Sequence, residues 1–242
     1  MICLINQSVR KMSVKYLSIL FVLFTFVFSL GEMGNKTDPD DRKIIRYVAL
    51  GDSYTICEGA NWEESWPVIL TERLSNAGIP IQLVANPSRT GWTTQDLIDN
   101  ELPVFDVSSP AFATLLIGVN DWVQGVNAET FHKNLNFIID HLQKTLKDKS
   151  KLVLITIPDF SAAPEGPKYS KSRNISEGLS EFNKIIQEEA QKRNLKSVDL
   201  FPVSQEMKDN HDLISKDNLH PSAKEYAIWE QLIYAVVYEV LK

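Results

Sequence analysis

The chain alternates short apolar runs with stretches of helical period, and that alternation limits the folds open to it. Ile44–Leu50, Ile81–Ala85, Phe112–Ile117, Leu152–Ile157 and Leu195–Leu200 are near-continuous apolar or β-prone segments of strand length, the first and third running straight into glycine. Between them lie segments with apolar residues three or four apart. Ser65–Ala77 places Trp66, Leu70 and Leu74 on one face, with Pro67 near the start. Thr94–Leu102 reads as a short helix capped by Thr93 or Thr94. Ala128–Leu146 carries Phe131, Leu135, Ile138, Leu142 and Leu146 on one stripe, and Ile175–Arg193 is helical in pattern. Ala223–Leu241 closes the chain with Tyr226, Trp229, Ile233, Val236 and Val240 facing inward, and Ser222 and Glu225 have capping-box spacing. Unbroken apolar strands alternating with helices predict an α/β fold, a parallel sheet of about five strands covered on both faces.

The first thirty residues do not fit that pattern. Arg10, Lys11 and Lys15 precede Tyr16–Leu30, fifteen residues without a charge. The run is short for a spanning helix, which needs about 20 residues, and has the form of a secretory leader. Ser29-Leu30-Gly31 suits cleavage before Glu32, and Met12 is an alternative start. The expectation is a signal peptide over residues 1–31, with an uncleaved anchor at residues 16–30 as the alternative. A polar linker follows over 32–43, then one domain over 44–242. The predicted location is secreted or periplasmic, with membrane contact only if the leader is retained. Without residues 1–31 the chain has 22 basic against 31 acidic residues, a net −9, and Cys57 is its lone cysteine. That excludes a disulfide framework, and the absence of a basic stripe argues against nucleic acid as a partner.

In a parallel sheet, ligands bind beyond the carboxyl ends of the strands. Four segments fall at that edge: Gly51-Asp52-Ser53-Tyr54-Thr55, Asn86 to Trp92 with Gly91, Gly118-Val119-Asn120-Asp121, and Asp217-Asn218-Leu219-His220-Pro221. Each alone reads as ordinary turn or cap chemistry. Together they bring a hydroxyl, a glycine, an amide and an Asp/His pair to one place. A serine hydroxyl becomes a nucleophile when a neighbouring base takes its proton. His220 suits that task, and Asp217, three residues earlier, suits holding the other ring nitrogen. The N–H groups of Ser53 and Gly91 and the Asn120 amide are candidate oxyanion donors, with Gly91 expected at a close approach of backbone to substrate.

In these segments the chain resembles the SGNH hydrolases, also called GDSL esterases or lipases. The four signature residues match Ser53, Gly91, Asn120 and His220, and the family's Asp matches Asp217. The blocks GDSYT, GVND and DNLHPS occur in the family's order. The resemblance implies a flavodoxin-like three-layer α/β/α sandwich and cofactor-free, metal-free hydrolysis of acyl esters or thioesters. Substrates in view are small esters, acylated carbohydrates and lysolipids. Close relatives often carry Gly at the position of Cys57, which is read here as a buried apolar side chain rather than a narrowing of the pocket.

Other chemistries fit less well. The G-x-S-x-G elbow of the common α/β-hydrolases is missing at Ser53. The four histidines, His132, His141, His211 and His220, show no metal-ligand spacing. A secreted carbohydrate- or ligand-binding module on the same fold is the non-catalytic alternative. Trp62, Trp92 and Trp122 are expected to line the substrate pocket, since each lies close to a site segment. The Asp159–Arg173 connection is long enough to cover the site.

Overall fold

The computed structural model describes residues 43–242; the leader and all but the last residue of the linker lie outside them. Strand β1 (Ile45–Gly51) runs into a one-turn helix α1 (Ser53–Ile56). Helix α2 (Trp66–Asn76) crosses to β2 (Ile81–Ala85). Then come α3 (Thr94–Asp96), α4 (Leu102–Val107), β3 (Phe112–Leu116), α5 (Val119–Gln124) and α6 (Ala128–Thr145). The chain continues through β4 (Leu152–Ile155), α7 (Ile175–Lys192), β5 (Lys196–Val198), α8 (Phe201–Ser204) and α9 (Ala223–Leu241).

The five strands form one parallel sheet in the order β2-β1-β3-β4-β5. Right-handed crossovers from β1 to β2 and from β2 to β3 run in opposite directions, so the helices of the two connections fall on opposite faces. The packing agrees: α2 lies against α9, and α6 lies against α3, α4 and α7. β1 is paired on both edges and Tyr47 to Leu50 are buried, as an unbroken apolar strand requires. The strand order reverses beside β1, which opens the crevice between the ends of β1 and β3.

Several elements differ from expectation. The helix begun by Thr93, whose hydroxyl accepts from the Asp96 N–H in a capping box, does not stop at Leu102. It widens into a π turn at Leu97–Glu101 and continues to Val107. Pro103 lacks an N–H and its ring crowds the preceding turn, and the wider turn accommodates it. The same turn carries Glu101 into the core, where it accepts from the Gly51 N–H at 3.0 Å. The fourth and fifth strands are shorter than read. Thr156 and Asp199, just beyond them, pair side chain to side chain at 2.8 Å instead. The capping box of α9 is not formed. Ser222 Oγ donates to the Asp212 carbonyl, and the buried Glu225 carboxylate accepts from Trp229 Nε1 at 2.6 Å. The inner stripe of α9 ends on Val237, with Val236 and Val240 only half-buried. The stripe of α6 is buried along its whole predicted length. No helix among the described residues is long and apolar enough to cross a membrane.

Candidate active site

β1 delivers Ser53 to the sheet edge as the first residue of α1. Asp52 caps that turn, its carboxylate accepting from the Tyr54 N–H at 3.0 Å. Asp52 is buried and one of its oxygens has no partner, so burial pushes its pKa up to about 8. Cys57 ends the turn in the left-handed region at φ 61°. That conformation favours glycine, the residue the family resemblance puts at this position in close relatives. The Cys57 side chain is buried in the core beside the Tyr54 and Thr55 carbonyls and does not line the cavity.

The candidate base, His220, comes from the turn before α9. Asp217 Oδ1 accepts from Ser215 Oγ at 2.6 Å and from the N–H groups of Leu219 and His220 at 2.8 and 2.9 Å. Asp217 Oδ2 lies 2.6 Å from His220 Nδ1. The Asp at i−3 thus closes the turn with one oxygen and holds the imidazole with the other. Burial acts to raise the Asp217 pKa, but the hydrogen bonds from Ser215 and His220 outweigh it and hold the carboxyl well below the usual range. With Nδ1 engaged, Nε2 is the nitrogen left to take a proton.

Ser53, Asn120 and His220 line one cavity of about 80 Å³, so the structure brings together three of the residues expected there. Tyr54, Val119, Val123, Phe160, Tyr169 and Leu219 complete its wall. The Tyr54 ring meets His220 edge-on, with centroids 6.0 Å apart. Asn120 stands in the first turn of α5, and its Nδ2 donates to the Trp92 carbonyl at 2.9 Å. One amide proton is used in that bond and one remains, since a carboxamide has two. Gly91 precedes Trp92 and is exposed, outside the lining of this cavity. Its φ of +85° explains the glycine, and a side chain there would meet open space rather than close packing. Asp121 is structural. Its carboxylate caps α3, accepting from the Thr94 N–H at 2.8 Å and from Thr94 Oγ1 at 2.5 Å.

None of the three tryptophans lines the cavity. Trp62 is 50% exposed on a short turn before α2. Trp92 contributes its backbone carbonyl to Asn120. Trp122 is buried under the Arg173 guanidinium, 3.9 Å from its ring, and against Gly178 of α7, where a Cβ would stand 1.8 Å from the indole nitrogen. Phe160 and Tyr169 occupy the wall instead. Both belong to the Asp159–Arg173 connection, which does reach the site as its length suggested; no periodic signal in that loop marks the two residues.

Beyond the Asp217 turn lies an open polar groove of about 620 Å³, lined among others by Glu58, Asn61, Glu64, Ser215 and Lys216. An oxygen of Glu58, an oxygen of Asp217 and a ring nitrogen of His220 lie within 4.8 Å of one another, a donor set of the types cations accept. Both Asp217 oxygens are already engaged by hydrogen bonds, an arrangement that orients an imidazole.

Comparison with solved structures places the fold. The lipase/acylhydrolase from Enterococcus faecalis superposes with a TM-score of 0.66 at 22% identity, covering 82% of this chain and 97% of that one. The psychrotrophic esterase EstA from Pseudoalteromonas sp., in a structure inhibited by monoethylphosphonate, gives 0.62 at 20% identity, with 80% and 97% covered. Axe2, an acetylxylan esterase from Geobacillus stearothermophilus, gives 0.64 at 18% identity, with 80% and 94% covered. A search of curated protein sequences gives no match. The profile of the GDSL-like Lipase/Acylhydrolase family matches residues 49–228, a span holding every catalytic candidate from Ser53 to His220. The chain therefore belongs to the GDSL-like lipase/acylhydrolase family, whose activity is carboxylic ester hydrolysis.

Proposed function

We propose that ester hydrolysis in this chain runs through an acyl-enzyme on Ser53, and that its substrates are short-chain acyl esters of polar alcohols such as acylated sugars. The observation that carries the reading is the shared cavity of Ser53, Asn120 and His220, with His220 Nδ1 held by Asp217 at 2.6 Å. Ser53 Oγ attacks the ester carbonyl and its proton passes to His220 Nε2, while Asp217 stabilises the imidazolium. The Ser53 and Gly91 N–H groups and the second amide proton of Asn120 receive the developing oxyanion. Collapse of that intermediate expels the alcohol, which takes the proton back from His220. Water then enters by the same route and releases the acid.

Two observations support the substrate class. The cavity at Ser53 is small and mostly apolar, which suits a short acyl group. The groove beside Asp217 presents carboxylates, an amide and hydroxyls, with the exposed Trp62 next to Asn61, which suits a polar alcohol. The test is a p-nitrophenyl ester series from acetate upward, with acetylated xylo-oligosaccharide as a polar-alcohol substrate. The expected result is fastest turnover at acetate to butyrate, lost by at least about 10³ in Ser53→Ala. Turnover that survives Ser53→Ala, or none from the folded protein on any ester, overturns the reading.

A further inference from the structure

Glu58 lies five residues beyond Ser53 and has no part in the mechanism above. Its backbone is tied on both sides. The Glu58 N–H donates to the Ser53 carbonyl at 2.9 Å, and the Glu58 carbonyl accepts from the Tyr226 hydroxyl of α9 at 2.9 Å. The side-chain carboxylate accepts a hydrogen bond from Thr90 Oγ1, one residue before Gly91. The same carboxylate places an oxygen within 4.8 Å of an Asp217 oxygen and a His220 ring nitrogen. One residue thus meets the nucleophile turn, the Gly91 loop and the base turn.

We propose that Glu58 is a positioning residue that ties the Thr90–Gly91 loop to the Asp217–His220 turn and sets a second carboxylate beside the imidazole. The proposal rests on the serine-esterase reading of Ser53 and His220. The loop has need of such a tie. Gly91 is exposed, the site of a Cβ there is open, and the contact from Gln124 to its carbonyl is long at 3.5 Å. The Asn120 bond to the Trp92 carbonyl holds the loop after Gly91, and the Thr90 bond to Glu58 holds it before.

The second carboxylate acts through its charge. A negative group within about 5 Å favours the imidazolium that forms when Ser53 gives up its proton. The other charged and titratable groups on the surrounding elements differ from Glu58 in charge or place. Asp217 belongs to the same turn, and Lys216 borders the groove shared by Glu58 and Asp217. The Tyr54 phenol of α1 is driven up by burial and by the charges of Asp52, Asp159 and Asp217, and stays neutral. Lys224, in the first turn of α9, is paired with Asp212 at 3.4 Å. Glu58→Gln leaves all of these in place and keeps an acceptor for Thr90, removing the charge alone. Thr90→Val removes the tie and keeps the charge.

The test pairs steady-state kinetics with the backbone amide NMR spectrum of the folded protein. Glu58→Gln is expected to lower kcat several-fold with KM little changed and to leave the Gly91 amide resonance in place. Thr90→Val is expected to lower kcat several-fold with KM little changed and to displace the Gly91 amide resonance. Full kcat in Glu58→Gln overturns the charge role, and an unmoved Gly91 resonance in Thr90→Val overturns the tie. The NMR reading needs no turnover, so the two levels separate. A displaced Gly91 resonance in a protein that cleaves no ester leaves the placement of Glu58 standing and removes the esterase reading. Ser53-dependent cleavage with neither expected change does the reverse.

Discussion

Asn120 shows how much a single side chain does at this site. One of its amide protons binds the Trp92 carbonyl at 2.9 Å, which fixes the carboxamide against the Gly91 loop. The other is free for the oxyanion role proposed above, where a donor fixed in advance needs no rearrangement as charge develops. Asn120→Ala is therefore expected to lower kcat by roughly 10²–10³ with KM little changed. A loss under about threefold would remove it from the oxyanion hole. The meeting of Ser53, Asn120 and His220 in one cavity was legible in the chain because the proposed chemistry asks for particular side chains at strand ends: a hydroxyl, an amide, and an Asp three before a His. The tryptophans were not legible in the same way. Proximity in sequence to Asn120 put Trp122 at the pocket, whereas the missing Cβ of Gly178 gives its indole a buried berth under Arg173.

At the scale of elements, the Asp159–Arg173 connection is more than a link between β4 and α7. It forms two 3₁₀ turns, Phe160–Ala162 and Gly166–Tyr169. The Asp159 carboxylate anchors its start, accepting from the Ser161 N–H, Ser176 Oγ and Gln205 Nε2. Trp122 anchors its body, with Phe160 edge-on at 5.9 Å and Arg173 over the ring. Trp122→Ala empties a buried site and is expected to cost about 3–5 kcal/mol in denaturant unfolding. Tyr169 is 42% exposed, so Tyr169→Ala is expected to change stability by no more than about 0.5 kcal/mol while moving the chain-length optimum to longer esters. An unaltered chain-length profile would mean that Tyr169 is not a wall of the acyl cavity. Periodicity located α2, α6, α7 and α9 to within a residue or two, because each buries an apolar stripe. It missed α1, α5 and α8, which span four to six residues and are held by caps and neighbours rather than by a stripe.

At the scale of the molecule, stability and activity are set by different groups. Burial raises the pKa of Asp52 to about 8, of Glu225 to about 7 and of Asp121 to about 6. Between the ordinary carboxylate range near 4 and those values, the folded state binds more protons than the unfolded chain. Stability therefore falls as pH rises across that interval. Glu189 works in the other direction. Burial opposes its ionisation, but hydrogen bonds from His132, Arg193 and Lys192 outweigh that and lower its pKa to about 2. Its contribution is present above about pH 4.5 and is lost as pH falls toward 2. The melting temperature is thus expected to peak in mild acid and decline toward pH 8, and Asp52→Asn is expected to flatten the decline. Under the proposed mechanism, hydrolysis by a histidine base instead gains from higher pH. A melting temperature that climbs steadily from pH 5 to 8 would contradict this assignment.

The amino-acid order by itself settled the fold class, and it pointed to the edge of the sheet where Ser53, Asn120 and His220 share a cavity. Apolar strands buried on both faces force a parallel, helix-covered sheet, and the strand ends of such a sheet converge at the reversal of strand order. Only the tertiary structure decided which side chains wall the cavity, that Glu58 meets the Asp217–His220 turn, and that Asp121 accepts from Thr94 at the start of α3. Those outcomes depend on which surfaces meet across the sheet, and distant partners such as Gly178 and Trp122 leave no local pattern in the chain.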